Sequence, residues 1–94
     1  MITIITNATC TFYLATGNPC ANGHFPTTGY TIAAPRCIPL GTKVSINGHN
    51  YTVEDRTNIR YDGRWDIFVN VSYKEALKLG KQTNNVTIKE QRNK

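Results

Sequence analysis

The sequence predicts a small, mainly β domain: a barrel of six or seven strands that carries one short helix. Segments rich in β-branched and aromatic residues recur at short intervals, which is typical of consecutive strands. These segments are 2–5, 9–15, 30–34, 43–46, 50–54, 65–70 and 85–90. Helix-forming residues are sparse outside 73–81. Short strands with closely spaced turns and one helix are typical of a small β-barrel.

The strongest local signal is a hairpin. Segments 43–46 and 50–54 flank Asn47 and Gly48, a pair that favours the type I′ turn because both of its central residues need a positive φ. His49 follows the turn directly. We expect it to be an exposed hairpin histidine rather than a catalytic one.

The helix is predicted at about 72–79. Ser72 can act as its N-cap and Glu75, three residues later, completes a capping box. Gly80 suits the position just after the helix. Leu77 belongs to an apolar side, and a helix this short is expected to need packing of that side against a sheet.

Length and charge limit the function classes. The 94 residues are expected to form one domain, 1–94. A net charge of +5 favours an anionic partner, but the basic residues are scattered and form no nucleic-acid motif, so we do not expect nucleic acid as the partner. No stretch approaches the ~18 apolar residues of a membrane span. The first ten residues lack the basic and apolar regions of a signal peptide.

Three cysteines, Cys10, Cys20 and Cys37, leave several arrangements open. All three can be free thiols, or one bridge can join Cys20 to either of the others. A zinc site that uses His24 lacks the usual short Cys-x-x-Cys spacing. We therefore predict no metal and no other cofactor. Segment 16–29 reads as a loop, and a long loop in a compact domain is often functional.

Four of the six acidic residues lie in one window, 53–68, although the chain is basic. Asp55 ends the second hairpin strand and Asp66 begins the next strand, eleven residues later. Two strand ends joined by a polar loop can lie close together, so both carboxylates can face one groove. Asp62 is expected to be part of a turn, and Glu54 is expected to face away from Asp55.

Alternation along 65–70 places Asp66 and Phe68 on one face and Trp65, Ile67 and Val69 on the other. An acid at that position must be solvated, paired or held in a cleft. Two interpretations follow. The aspartates can form structural ion pairs with nearby arginines, or they can perform acid–base chemistry on a sugar chain, in which a neighbouring carboxylate raises the pKa of the acid.

Several motifs resemble one known family. These are "TFY" at 11–13, "TIAAPRCIPLGTKVSI", and "VEDRTNIRYDGRWDIFV" followed by "SYKEALKLG". Together they resemble the 3D-domain family over about residues 9–90. The resemblance implies a six-stranded double-psi β-barrel, the fold of the catalytic domain of membrane-bound lytic transglycosylase A. It also implies peptidoglycan as substrate.

Matched residue by residue, the resemblance implies that Asp66 protonates the glycosidic oxygen between N-acetylmuramic acid and N-acetylglucosamine. Asp66 would then accept a proton from the 6-hydroxyl as a 1,6-anhydro ring closes. Asp55 would support the site electrostatically. Thr11 and Tyr13 match groove-lining residues, and Arg64 is counted with them as a substrate-binding residue.

The sequence departs from the family pattern at Ala34, where an aspartate is common, and at Thr57 and Asn58, where glycines are common. Two alternatives to a lytic transglycosylase stay open: a two-carboxylate glycoside hydrolase and a non-catalytic glycan-binding barrel. The expected place of action is the bacterial cell wall, in the periplasm or outside the cell. A phage lysis or tail enzyme, or a protein exported by other means, fits this expectation, and the chain is expected to be a monomer.

Overall fold

A computed structural model describes residues 2–57, 60 and 63–90. In order, its elements are β1 (Thr3–Tyr13), β2 (Thr31–Ala34), β3 (Lys43–Ile46), β4 (His49–Arg56), β5 (Trp65–Phe68), α1 (Tyr73–Leu79) and β6 (Gln82–Glu90). The six strands close into a barrel in the order β1-β5-β2-β4-β3-β6. The predicted small six-stranded barrel with one short helix is confirmed.

Strand β2 has the position in the barrel that matters most for the site. It lies between β4, to which it runs parallel, and β5, to which it runs antiparallel. Strand β1 continues the sheet beyond β5 in a parallel pair. The carboxyl end of β4 and the beginning of β5 therefore lie next to β2, on opposite sides of it.

One strand replaces two predicted ones. Segments 2–5 and 9–15 were predicted as separate strands, but β1 runs through both and pairs with β6 on each side of an irregularity. Asn7 makes this possible because it adopts a φ of 54°. Its backbone N–H donates to the side-chain oxygen of Asn85 on β6, at 3.2 Å. The interruption seen in the sequence is thus a bulge inside one strand, not a turn.

The hairpin is confirmed. Asn47 and Gly48 have φ values of 52° and 78°, and Ile46 pairs with His49 across the turn. His49 is exposed, as expected. Its Nε2 atom lies 2.8 Å from the carbonyl oxygen of Gly29. This contact connects the hairpin to the end of segment 16–29, the long loop.

The barrel interior is filled by alternate residues of the strands. Trp65 and Ile67 belong to this core, and Val69 packs against it, which confirms the alternation predicted for β5. The other core residues of the strands are Ala8, Cys10, Ile32, Ala34, Val44, Ile46, Val53, Val86 and Ile88. The core holds β5 in place, so Asp66, which is only half-buried, faces the outside of the barrel.

Helix α1 has the predicted boundaries and the predicted capping box between Ser72 and Glu75. The prediction that its apolar side packs against a sheet is wrong, because none of its residues is buried and Leu77 is 62% exposed. The helix lies beside β1 but leaves its apolar side outside the core. Among the described residues, no helix has the length and apolarity needed to cross a membrane.

Candidate active site

The register of three adjacent strands brings the two aspartates together. Ala33 on β2 pairs with Asp55 on β4 and with Asp66 on β5. Neighbouring strands lie about 4.8 Å apart, so the backbones of the two aspartates are separated by roughly 10 Å. The residue between them is the smallest that carries a side chain. Ala33 therefore leaves open space between the two carboxylates.

That space is a cavity of about 160 Å³. Asp55, Asp66 and Ala33 line it together with Tyr13 from the end of β1 and with Cys20 and Pro26 from the long loop. The strands therefore supply one wall and segment 16–29 covers another. The predicted common groove for Asp55 and Asp66 is present, and the loop that was expected to be functional forms part of it.

Asp66 is held by a neighbouring strand. The Thr11 hydroxyl donates a hydrogen bond of 2.9 Å to Oδ1 of Asp66, and the two residues pair in the β1–β5 register. Burial raises the pKa of Asp66 above its ordinary value, against the lowering effects of the Thr11 hydrogen bond and the Arg64 charge, and the charge of Asp55 raises it further. A carboxyl group with a raised pKa is suited to donate a proton.

Asp55 has different surroundings. Its Oδ1 atom accepts hydrogen bonds from the backbone N–H groups of Ala21, at 3.0 Å, and Arg56, at 2.9 Å. The guanidinium of Arg56 donates to the carbonyl oxygen of Arg36. Asp55 therefore faces the cavity while it fixes the position of the long loop through Ala21.

Tyr13 places a buried hydroxyl group beside the two carboxylates. Its ring packs edge to face on Phe68, with centroids 5.4 Å apart. Within the described part of the chain, no group meets hydrogen-bond geometry at this hydroxyl, although the Cys20 thiol lies near it. Burial, together with the charges of Cys20, Asp55 and Asp66, raises the pKa of Tyr13, so the group stays protonated. An unpaired buried donor is costly unless a ligand or water satisfies it.

Cys20 lines the cavity but is unsuited to be a nucleophile. Burial and the charges of Asp55 and Glu54 raise the pKa of its thiol to about 11, and only the thiolate is reactive. Cys10, Cys20 and Cys37 are all free thiols, so of the arrangements left open by the sequence the structure has the unbridged one. No three metal-ligating side chains come together among the residues described.

The remaining site predictions have mixed outcomes. Arg64 lies two residues before Asp66 and acts on it by charge, but it is outside the lining of the cavity in the described structure. Asp62, predicted as a turn residue, and Asn58 lie outside the described residues. Ala34, where the family often has an aspartate, is fully buried in the barrel core. An aspartate at that position of this chain would face the core rather than the cavity.

Glu54 on β4 holds the long loop in place through hydrogen bonds. It is buried and lies outside the cavity lining, next to Asp55 in sequence. Its carboxylate accepts hydrogen bonds from the Thr31 hydroxyl, at 2.7 Å, and from the Asn22 amide, at 3.0 Å. Nδ1 of His24 lies 3.5 Å from the same carboxylate. Burial alone would raise the pKa of Glu54, but these three partners together lower it.

Removing this charge is expected to loosen the loop. Glu54→Gln should lower the free energy of unfolding by about 1–3 kcal/mol, because Gln keeps one acceptor oxygen, so one of the two buried hydrogen bonds loses its acceptor and the other loses the charge. Since the pKa of Glu54 is lowered in the folded state, its contribution is present at neutral pH and disappears as the pH falls through that pKa. The loss in the variant should therefore be largest at neutral pH, as measured by denaturant unfolding at several pH values.

Cys20 reports on the loop directly. In Glu54→Gln, thiol labelling of the buried Cys20 should become faster, while labelling of the exposed Cys37 stays the same, and peptide mass spectrometry distinguishes the two. Glu75→Gln changes an exposed carboxylate on α1 and is the matched control. Equal Cys20 labelling in wild type and Glu54→Gln would show that Glu54 does not hold the loop.

Sequence reasoning missed Ala33 and Cys20 as lining residues of the cavity and Glu54 as the residue that holds the long loop. The Gly, Pro, Asn and Thr content of segment 16–29 identified it as a loop, and its length in a compact domain predicted a function, but neither feature indicated which strand it covers. No family model, no curated protein and no solved structure matches the chain. A functional conclusion therefore depends on the geometry described above and on the motifs that resemble the 3D-domain family.

Proposed function

We propose that this protein is a peptidoglycan lytic transglycosylase that cleaves the β-1,4 bond between N-acetylmuramic acid and N-acetylglucosamine. The observation that carries the proposal is the cavity between Asp55 and Asp66, in which burial raises the pKa of Asp66. The motifs that resemble the 3D-domain family indicate peptidoglycan as the substrate. The net charge of +5 favours an anionic cell wall.

In the first step, protonated Asp66 donates its proton to the glycosidic oxygen. The bond from the anomeric carbon to that oxygen breaks, and N-acetylglucosamine leaves as an alcohol. Positive charge develops on the sugar ring that stays bound, as in glycoside cleavage generally. The carboxylate of Asp55, on the other side of Ala33, faces the same cavity and stabilises this charge.

In the second step, the 6-hydroxyl of the muramic ring attacks its own anomeric carbon. Asp66, now a carboxylate, accepts the proton of that hydroxyl, so the acid returns to its initial state. The product is a 1,6-anhydro sugar, and no water is consumed. Thr11 keeps Asp66 oriented through its hydrogen bond, and the buried Tyr13 hydroxyl is a donor for the substrate.

The mass of the product tests this proposal. Digestion of purified peptidoglycan should release fragments with 1,6-anhydro ends, which are lighter by one water than hydrolysis products. Fragments that have gained water would instead indicate a hydrolase in which Asp66 is the acid and Asp55 the base. The absence of any released fragment, combined with binding to peptidoglycan, would leave the non-catalytic glycan-binding barrel.

The pH dependence of cleavage should move in opposite directions in two variants. The rate falls as pH rises through the pKa of Asp66, because the first step needs the protonated acid. Thr11→Val removes a hydrogen bond that lowers this pKa, so the alkaline limb of the profile should move to higher pH. Asp55→Asn removes a charge that raises it, so the limb of the residual activity should move to lower pH.

Thr9→Val is the matched control, since Thr9 lies two residues before Thr11 on the same strand. It should leave the pH profile of cleavage unchanged. Shifts of the same sign in Thr11→Val and Asp55→Asn would contradict the assignment of Asp66 as the acid.

A further inference from the structure

A second and larger groove lies across β4, β3 and β6, and its apolar wall includes Val44 of the barrel core and Tyr51, which packs against that core. Its volume is about 300 Å³, and its walls are largely apolar. Tyr30, Lys43, Thr52, Asn50 and Lys89 line it. None of the described residues that line the groove is acidic. The groove thus combines an aromatic surface with two positive charges.

Both ammonium groups are positioned by uncharged partners. Nζ of Lys43 donates to the Thr52 hydroxyl at 2.8 Å and lies 5.5 Å from the centroid of the Tyr30 ring. Nζ of Lys89 donates to the side-chain oxygen of Asn50 at 2.7 Å. A Lys ammonium has three donors, so each of these groups retains further hydrogen-bonding capacity for a ligand.

The groove lies next to the candidate active site. Thr52 in the groove and Asp55 in the cavity are three residues apart on β4, a distance of roughly 10 Å along a strand. Tyr30, which directly precedes β2, is likewise three residues from Ala33 on that strand. The surface between these positions is covered by the long loop, because Glu54 lies between Thr52 and Asp55 and accepts a hydrogen bond from Asn22. The groove is therefore a site separate from the cavity, and a ligand can bind in it without contacting the two aspartates.

We propose that this groove binds an acidic saccharide unit, with its carboxylate at the ammonium group of Lys43 and the carbon face of its ring against the apolar wall. The charge of the two ammonium groups selects an anion, and the apolar surface favours an anion carried on a ring over a small free anion. The saccharide class rests on the proposed function, and the free carboxylate is that of a muramic acid unit to which no stem peptide is attached. The binding itself does not require Asp66 to be catalytic.

Nuclear magnetic resonance titration of the intact chain tests the groove. The probes are N-acetylmuramic acid, N-acetylglucosamine and inorganic phosphate. The acidic sugar should shift the signals of Tyr30, Lys43 and Thr52 and bind about two- to fivefold more tightly than the neutral sugar, the contribution expected of one partly exposed charge pair. The difference should decrease with added salt.

Lys43→Gln should remove most of the preference for the acidic sugar. Lys74→Gln, which changes an exposed lysine on α1, is the matched control and should leave the preference intact. A preference for the acidic sugar that stays unchanged in Lys43→Gln would contradict the proposal.

The titration is repeated with Asp66→Asn so that the two proposals can fail separately. Groove binding by a protein that never cleaves peptidoglycan would overturn the proposed function and support the acidic saccharide site. Cleavage without a preference for the acidic sugar would overturn the groove and leave the function standing. Equal binding of phosphate and the acidic sugar would reduce the groove to a site for free anions and overturn the proposal.

Discussion

Asp66→Asn is expected to reduce kcat for peptidoglycan cleavage by about 10²–10⁴-fold, the usual contribution of a positioned general acid. Asparagine has nearly the shape of aspartate but no proton to donate to the glycosidic oxygen. Its side-chain oxygen can still accept the hydrogen bond from Thr11. The released fragments, quantified by mass spectrometry, measure the effect.

The same variant should be at least as stable as wild type at neutral pH. Burial raises the pKa of Asp66 in the folded state, so ionising this group favours unfolding. The stability that the protonated acid contributes is present at low pH and is lost as the pH rises through the folded-state pKa. The melting temperature of Asp66→Asn should therefore match that of wild type near pH 3 and equal or exceed it at pH 7.

Glu75→Gln is the matched control for loss of a carboxylate away from the cavity, and it should retain cleavage. Retention of full activity by Asp66→Asn would exclude Asp66 as the proton donor. A fall in both activity and melting temperature at neutral pH would indicate a structural role for the Asp66 carboxylate instead.

Trp65→Ala should have the largest effect on stability, a loss of about 3–5 kcal/mol. The Trp65 side chain is only 1% exposed and is the largest one fully buried in the barrel. Its replacement leaves a cavity that the surrounding strands cannot close completely. Since a domain is stabilised by only about 5–15 kcal/mol in total, much of the protein would unfold under mild conditions. Urea unfolding measures the loss.

Tyr73→Ala is the matched control, because Tyr73 is an aromatic residue that is 70% exposed on α1. Its effect should stay within about 0.5 kcal/mol, as for other surface substitutions. Trp65 also directly precedes Asp66, so loss of its packing frees the start of β5. Equal stability of the Trp65→Ala and Tyr73→Ala proteins would contradict the placement of Trp65 in the core.

The sequence by itself determined the features that depend on neighbouring residues. The Asn47-Gly48 turn follows from the positive φ that both positions need. The capping box at Ser72 follows from hydrogen bonds within one helical turn. The two faces of β5 follow from alternation, because Trp65 and Asp66 must point to opposite sides of a strand. From these local rules came the barrel, the helix and the pair of aspartates.

Only the tertiary structure decided what surrounds that pair. The position of Ala33 between Asp55 and Asp66 is set by the pairing of three strands that are distant in sequence. The cover over the cavity depends on hydrogen bonds from the long loop to Glu54 and Asp55, across more than thirty residues of sequence. Strand register and loop attachment depend on contacts between residues that are distant in sequence, and they are determined when the whole barrel buries its core. No local sequence pattern predicts them. The apolar side of α1 was predicted to be buried but is exposed, because the strands of the closed barrel already fill its interior.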